Sequence, residues 1–361
     1  MKTVISPYQT TLILIFTILA TSIISLPSLL IDKAANDSWL SLIIIALITT
    51  INAFIYAKLG QKMQRIDLIN YTRKIFGDFI TIPIALLTIA VFLLLAGTVI
   101  RETAEVMQNA YMPMTPLRFF NITIILTASY IVYHGLEVLG RSLEVFFYLF
   151  LAFFIFILIV LISDLNLSNL NPVLANGYTP VLKSSIMGLT FFNEIFLILI
   201  IAPQITTRGK ILRPTLYAIF ISTIILSAII IFILSILGSE MAKELSFPFV
   251  TMVSYPKKLM VIERFDPLFI FFWIAGGIYK TAIFFYAASY TAQKLFKKST
   301  YYIFIIPFIV ILFYISFNYF QNYAQLTAFI KKSTPYFFSF FLIYPLLLLI
   351  FSYFKKGDTH E

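Results

Sequence analysis

The chain has 361 residues, of which 60% are hydrophobic and only 12% charged, with a net charge of +10 and no cysteine. A globular protein holds about 45–50% apolar residues, so a soluble fold whose helices keep polar outer faces is excluded. The absence of thiols excludes disulfides, thiolate metal sites and cysteine nucleophiles.

Apolar runs follow one another from Thr10 to Phe354 with short polar connectors between them. A bilayer core takes roughly 20 apolar residues of helix to cross, and uncharged runs such as 43–57, 150–162 and 340–351 reach or approach that length. The pattern predicts an all-α polytopic membrane protein with about ten transmembrane helices. They are expected near 9–31, 39–59, 79–110, 117–134, 142–163, 181–203, 213–237, 265–291, 301–320 and 335–354, in a single transmembrane domain covering 1–361. Lys and Arg sit in the connectors, with the larger share on the side of the N-terminus, so the positive charge reads as membrane orientation with both termini cytoplasmic. No basic face interleaved with exposed aromatics points to nucleic acid. The first run follows only Lys2 and precedes no A-x-A-like cleavage site, and it is expected to be a retained helix.

In the first span, Ala20-Thr21-Ser22-Ile23-Ile24-Ser25-Leu26-Pro27 places a helix-breaking proline beside three hydroxyls. Pro27 lacks an N–H and crowds the carbonyl four residues earlier. Either the helix kinks mildly with its hydroxyls bonding back to the backbone, or it is discontinuous and its freed groups bind a small zwitterion through Thr21, Ser22 and Ser25. The segment 64–77 is too polar to span. Ile66, Ile69, Tyr71, Ile75 and Phe76 share a face there, which suggests a short helix along the inner interface.

The third span ends in Arg101-Glu102-Thr103-Ala104-Glu105, a charge density that belongs at or beyond the outer interface or against a wet cavity. Arg101 and Glu105 have the i,i+4 spacing of a local ion pair. The sixth span reads Phe191-Phe192-Asn193-Glu194, with Glu194 about 20 Å along the helix from Val181, near mid-membrane. A carboxylate at that depth marks a site, a proton relay or a structural pair. The connector 238–264 is broken by Phe247-Pro248 and Tyr255-Pro256, as a plain loop or as an outer gate. In the eighth span Lys280 lies about 22 Å from Phe265. It either snorkels to the inner headgroups or is a buried ammonium that replaces a coupling cation or pairs with Glu194. One turn earlier, Gly276-Gly277 lets a neighbouring helix approach closely. His134 and His360 sit at a loop edge and in the tail, and no H-E-x-x-H, G-x-S-x-G or metal-ligand cluster is present, so neither an enzyme nor a metal or other cofactor is expected.

Several stretches in order resemble the spore germination receptor B-subunit family, the endospore germination permeases of the amino acid–polyamine–organocation (APC) transporter superfamily. They are Arg101-Glu102 with Glu105, Tyr111-Met112-Pro113-Met114-Thr115-Pro116, and Gly135-Leu136-Glu137 with Arg141. Leu170-Asn171-Pro172-Val173-Leu174 with Gly177 and Pro180 follows, then Phe192-Asn193-Glu194. The last is Glu263-Arg264-Phe265-Asp266 with Trp273 and Lys280.

The resemblance implies an APC/LeuT-like 5+5 inverted repeat, with halves about 9–163 and 181–354 and with helices 1 and 6 discontinuous. It implies a subunit that senses a nutrient germinant, in this family typically an amino acid. Its partners would be an A-type subunit and a lipoprotein C-type subunit in the spore inner membrane. Thr21, Ser22, Ser25, Phe191, Phe192, Asn193 and Glu194 would line the ligand pocket. The alternative is a proton-coupled amino acid or amine secondary transporter working through Glu194 and Lys280. A membrane scaffold without a ligand is the third reading.

Overall fold

The computed structural model describes residues 4–64, 66–206, 210–254 and 266–354. Eight helical stretches among them are long and apolar enough to cross a bilayer. The first holds two helices, α1 (Pro7–Ala34) and α2 (Ser38–Met63), joined by a 3-10 turn. The third, α4 (Leu117–Leu161), divides at Gly135, whose φ of 89° only glycine adopts without strain. Both turns fall between stretches that the sequence reads as separate helices.

The entry into α1 is fixed locally. Ser6 accepts a hydrogen bond from the Gln9 amide while the Gln9 side chain accepts from the Ser6 amide, a reciprocal capping box, and Pro7 occupies the first turn. The helix α3 (Leu68–Val106) is capped by Asp67 and breaks at Gly77, leaving a short arm over 68–76. Ile69 and Tyr71 of that arm pack into the bundle while Ile66 stays exposed. A π-helical turn, Met107–Tyr111, extends α3.

Next come α5 (Tyr178–Asn193), α6 (Leu197–Ile201), α7 (Leu212–Leu237), and the short α8 (Ser239–Glu244) and α9 (Pro248–Val253). They are followed by α10 (Asp266–Leu295), α11 (Ile305–Tyr314) and α12 (Tyr323–Phe354). The connector 238–264 thus carries two short helices over its described part. The Glu263-Arg264-Phe265 stretch lies outside the described residues.

Helices α1 and α6, with the end of α5 from Gly188 to Asn193, are buried on nearly every side, which places them at the centre of the bundle. An ordered backbone bridge ties them, with Ile5 N–H donating to Gln204 O at 2.8 Å and Thr206 N–H to Ile5 O at 3.0 Å. The outer helices expose Leu47, Ile51, Leu126, Ile159, Phe220 and Val310, the apolar surface that a lipid phase covers.

Helix α1 corrects one expectation, since it runs unbroken through Pro27. Ser22 donates to the Ile18 carbonyl at 2.5 Å and Thr17 to Ile13 at 2.7 Å, so these hydroxyls support the helix rather than replace it. The sixth stretch changes its winding without separating. The α-helix gives way to a 3-10 turn over Glu194–Phe196 before α6 resumes.

Gly276 and Gly277 set where α10 lies. A Cβ on Gly276 would touch Ala20 of α1 at 3.6 Å, and one on Gly277 would collide with the side chain of Thr103 of α3. One turn further along, α10 is therefore wedged between Thr21 and Glu102. Gly277→Ala should destabilise the folded protein by about 1–3 kcal/mol, as overpacking does. Adding Thr103→Ala should restore most of the loss. Thermal unfolding of the purified variants reads this directly, and an unchanged melting temperature for Gly277→Ala would contradict the close approach.

Candidate ligand chamber

Lys280 is fully buried at the wedge. Its Nζ lies 2.7 Å from Glu194 Oε2 and donates to Thr21 Oγ1 at 2.8 Å. This geometry replaces the snorkelling alternative, because the ammonium points into the bundle. Glu102 completes the group. It is buried, accepts a hydrogen bond from Ser25 Oγ, and lines the same chamber as Lys280. Thr21 and Ser25, four residues apart, share one face of α1, and that face meets the charges.

These groups border a narrow chamber of about 30 Å³, whose wall includes Thr21, Glu102, Phe191, Glu194 and Lys280. That is room for roughly one water. The rings of Phe191, Phe329 and Phe337 and the hydroxyls of Thr98, Thr190 and Ser333 line the rest. The ammonium sits 5.8 Å from the Phe191 ring centroid and 5.5 Å from that of Phe284, within cation–π range.

Beyond Ser25 lies a second, open cavity of about 310 Å³, bordered by Ser25, Ser28, Asp32, Tyr323, Thr327 and Lys331. Ile330 lines both spaces. Ser25 with its Glu102 partner, together with Ile330, therefore stands between the wide vestibule and the narrow chamber. Across the vestibule Asp32 and Lys331 pair at 3.6 Å.

Four residues expected in the pocket lie outside the chamber wall, and one of them, Ser25, lines the vestibule instead. Ser22 turns back onto its own helix. Phe192 is fully buried in the hydrophobic core. Asn193 accepts from Asn52 Nδ2 of α2 at 2.5 Å and donates to Leu189 O at 2.8 Å. Along α5, Phe191 takes the chamber face, and the next two residues are rotated off it, about 100° per step.

Of the two settings expected for Arg101, Glu102 and Glu105, the structure puts Glu102 and Arg101 against cavities inside the bundle. All three are buried because α3 continues past them into the turn ending at Tyr111. Arg101 and Glu105 satisfy each other, with Nε donating to Oε1 at 2.8 Å. Arg101 also donates to Ser316 O, and Asn109 donates to Glu105 Oε2. Arg101 borders a separate cavity of about 460 Å³ beside Asn121. Glu102 is the member whose face sequence reasoning left open. A signal was available, since Arg101 and Glu105 complete an i,i+4 pair and leave Glu102 rotated onto another face without a cation.

Residues 4–325 match the family model described as "Spore germination protein". The chain belongs to the spore germination protein family. Spore germination protein KB of Bacillus subtilis (strain 168) is 26% identical over 272 residues, covering 74% of this chain and 73% of that protein. Spore germination protein YndE of the same organism is 24% identical over 297 residues, 81% of this chain and 82% of the relative. Among solved structures, the chain is similar to MHP1, a nucleobase-cation-symport-1 family transporter, in a closed conformation with bromovinylhydantoin bound. The TM-score is 0.74 at 14% identity, over 96% of this chain and 79% of that one. A mutant form of the manganese transporter of Eremococcus coleocola gives a TM-score of 0.65 at 12% identity, over 95% of this chain and 78% of that one. At such identities the likeness is one of fold. The fold is that of LeuT-like transporters, in a multi-pass membrane protein.

Removing the ammonium alone strands Glu194 in a dry site. Lys280→Ala should cost about 3–5 kcal/mol, as breaking a buried pair from one side does. Lys280→Met combined with Glu194→Leu should recover much of that. Chemical unfolding in detergent tests both, and a single variant as stable as the wild type would contradict a desolvated pair.

Proposed function

We propose that this chain is the transporter-like subunit of a spore germination receptor that senses a small nutrient germinant, an amino acid by family precedent. The observation that carries the reading is the narrow chamber at Lys280, where α1, α3, α5 and α10 meet beside a wide vestibule. Family membership supplies the biological setting. On this reading the chain is organised as two inverted halves, about 9–163 and 181–354, in the inner membrane of the spore with both termini cytoplasmic. It works with an A-type subunit and a lipoprotein C-type subunit. Thr21, Ser25, Phe191, Glu194 and Lys280 are the residues through which the pocket and the receptor state communicate.

A ligand shifts a two-state equilibrium only by its differential affinity for the two states. The chamber supplies such a difference. In this arrangement Lys280 holds Glu194 and donates to Thr21 while Ser25 holds Glu102, and a ligand of more than one or two atoms enters only when α12 or α1 moves. Binding energy is then available to a second arrangement of the bundle, which passes the change to the partner subunits.

The fold it shares with transporters favours a second reading, a proton-coupled amino acid or amine transporter using Glu194 and Lys280. Two experiments decide. In spores that carry this receptor alone, Glu194→Gln should shift the germinant dose response by roughly tenfold or more, about 1.4 kcal/mol of lost interaction per tenfold, with protein levels in the membrane unchanged. An identical dose response would remove Glu194 from the site. In proteoliposomes the sensing reading expects saturable binding of the germinant without accumulation, whereas concentrative uptake would support transport.

A further inference from the structure

The charges around the chamber do not balance. Two carboxylates, Glu102 and Glu194, face a single ammonium, and Lys280 makes its close contact with Glu194 at 2.7 Å. The other buried cation nearby on α3, Arg101, is committed to Glu105 at 2.6 Å. Glu102 is left with a neutral hydroxyl, that of Ser25, as its direct hydrogen-bond donor. It is only 3% exposed, yet it borders the chamber on one side and, through Ser25, the vestibule on the other. A buried carboxylate in this position has room for one more charge-assisted donor, and such bonds are roughly twice as strong as neutral ones.

The rest of the wall fits a cation with an apolar body. Phe191, Phe329 and Phe337 offer ring faces, and Leu95, Val99 and Ile330 offer aliphatic surface. No second cation lines the chamber beside Lys280 among the described residues. A ligand carboxylate would therefore have to compete with Glu194 for that one ammonium.

We propose that Glu102 is the receptor for a ligand's ammonium group, that the Ser25 hydroxyl holds its place in the empty chamber, and that the chamber recognises a small primary ammonium compound by this group rather than by a carboxylate. The proposal rests on the chamber being the ligand site and names the chemistry that the site selects. Entry follows from the same contacts. The incoming ammonium reaches Glu102 from the vestibule by displacing Ser25, whose neighbour Tyr323 stands in the vestibule wall. Exchanging a hydroxyl for an ammonium neutralises the extra carboxylate and breaks the contact that ties α1 to α3 at the partition.

The smallest matched probes are ethylammonium, L-alanine and propionate. They carry the ammonium alone, both groups, and the carboxylate alone. Equilibrium binding is measured calorimetrically on the purified full chain in lipid nanodiscs. Ethylammonium is expected to bind at least as tightly as L-alanine, with no saturable propionate binding. Glu102→Gln should weaken ethylammonium at least tenfold. Glu102→Asp, which keeps the charge but withdraws it by one methylene, should weaken it less. Ser25→Ala should tighten binding, since no hydroxyl has to be displaced.

Propionate binding as tightly as ethylammonium, or Glu102→Gln binding like the wild type, overturns the ammonium assignment. If that binding is blocked by Phe337→Trp, the chamber remains the ligand site and only the role of Glu102 falls. Absence of binding by all three probes overturns the chamber as a site for such ligands as well. Should Glu102→Gln fail to fold, the ranking of the three probes on the wild-type chain still decides.

Discussion

A lysine ammonium at the centre of an apolar bundle has to be neutralised where it stands, and that requirement organises this molecule. Lys280 is fully buried and reaches water at neither end of its helix, so three other helices converge on it. Helix α5 ends where Glu194 meets the ammonium, α1 presents Thr21, and α3 brings Glu102 to the same chamber. Desolvating such charges is costly, and the geometry must offset it through close pairing and satisfied hydrogen bonds. The small side chains at Ala20, Gly276 and Gly277 are what allow the helices near enough to do so. Packing and electrostatics are one constraint here, because a bulkier residue one turn from Lys280 would pull its partners away.

The same constraint gives the two cavities their characters. The chamber is narrow because Lys280 already holds Glu194 and Thr21, and those contacts keep the surrounding helices together. The vestibule is wider, and the charges on its wall include Asp32 and Lys331, half solvated and loosely paired, with Lys243 and Glu244. Between the two cavities stands a thin partition made of Ser25, Glu102 and Ile330. A fold built for alternating access needs a contact that is strong when the site is empty and replaceable when it is filled, and a hydroxyl–carboxylate bond answers that description. A receptor can use such a bond without moving its ligand across the membrane, so a transporter fold and a sensing role are compatible.

Much of this was legible in the sequence because membrane proteins write their constraints in bold contrast. Charges stand out in apolar runs, so Glu194 was visible as a mid-membrane acid and Gly276-Gly277 as a close approach, while Lys280 could be read as buried or as snorkelling. The helical stretches followed from run length and from polar connectors. Helix interruption was less legible. Pro27 reads as a break, yet α1 continues through it, since buried hydroxyls and close neighbours stabilise a helix that local propensity would bend. The face of each residue in 101–105 was also hidden. Charge density alone left an outer interface and a cavity wall both open, and the tertiary structure covers that helix end and turns Glu102 towards the chamber. Asn193 shows the converse error, a polar residue beside the key acid that serves the packing of α5 against α2.

The claim on which the account depends is that the charge cluster lives in a chamber too narrow to admit a solute while the vestibule beside it is wide enough. The chain lacks cysteine, so single cysteines report without background. The most direct measurement is the rate at which a small membrane-impermeant thiol reagent modifies Thr98→Cys, in the chamber wall, against Thr327→Cys, in the vestibule, in native membranes without germinant. The account predicts rapid labelling at position 327 and protection at position 98 under the same conditions. Equal labelling at the two positions would contradict it.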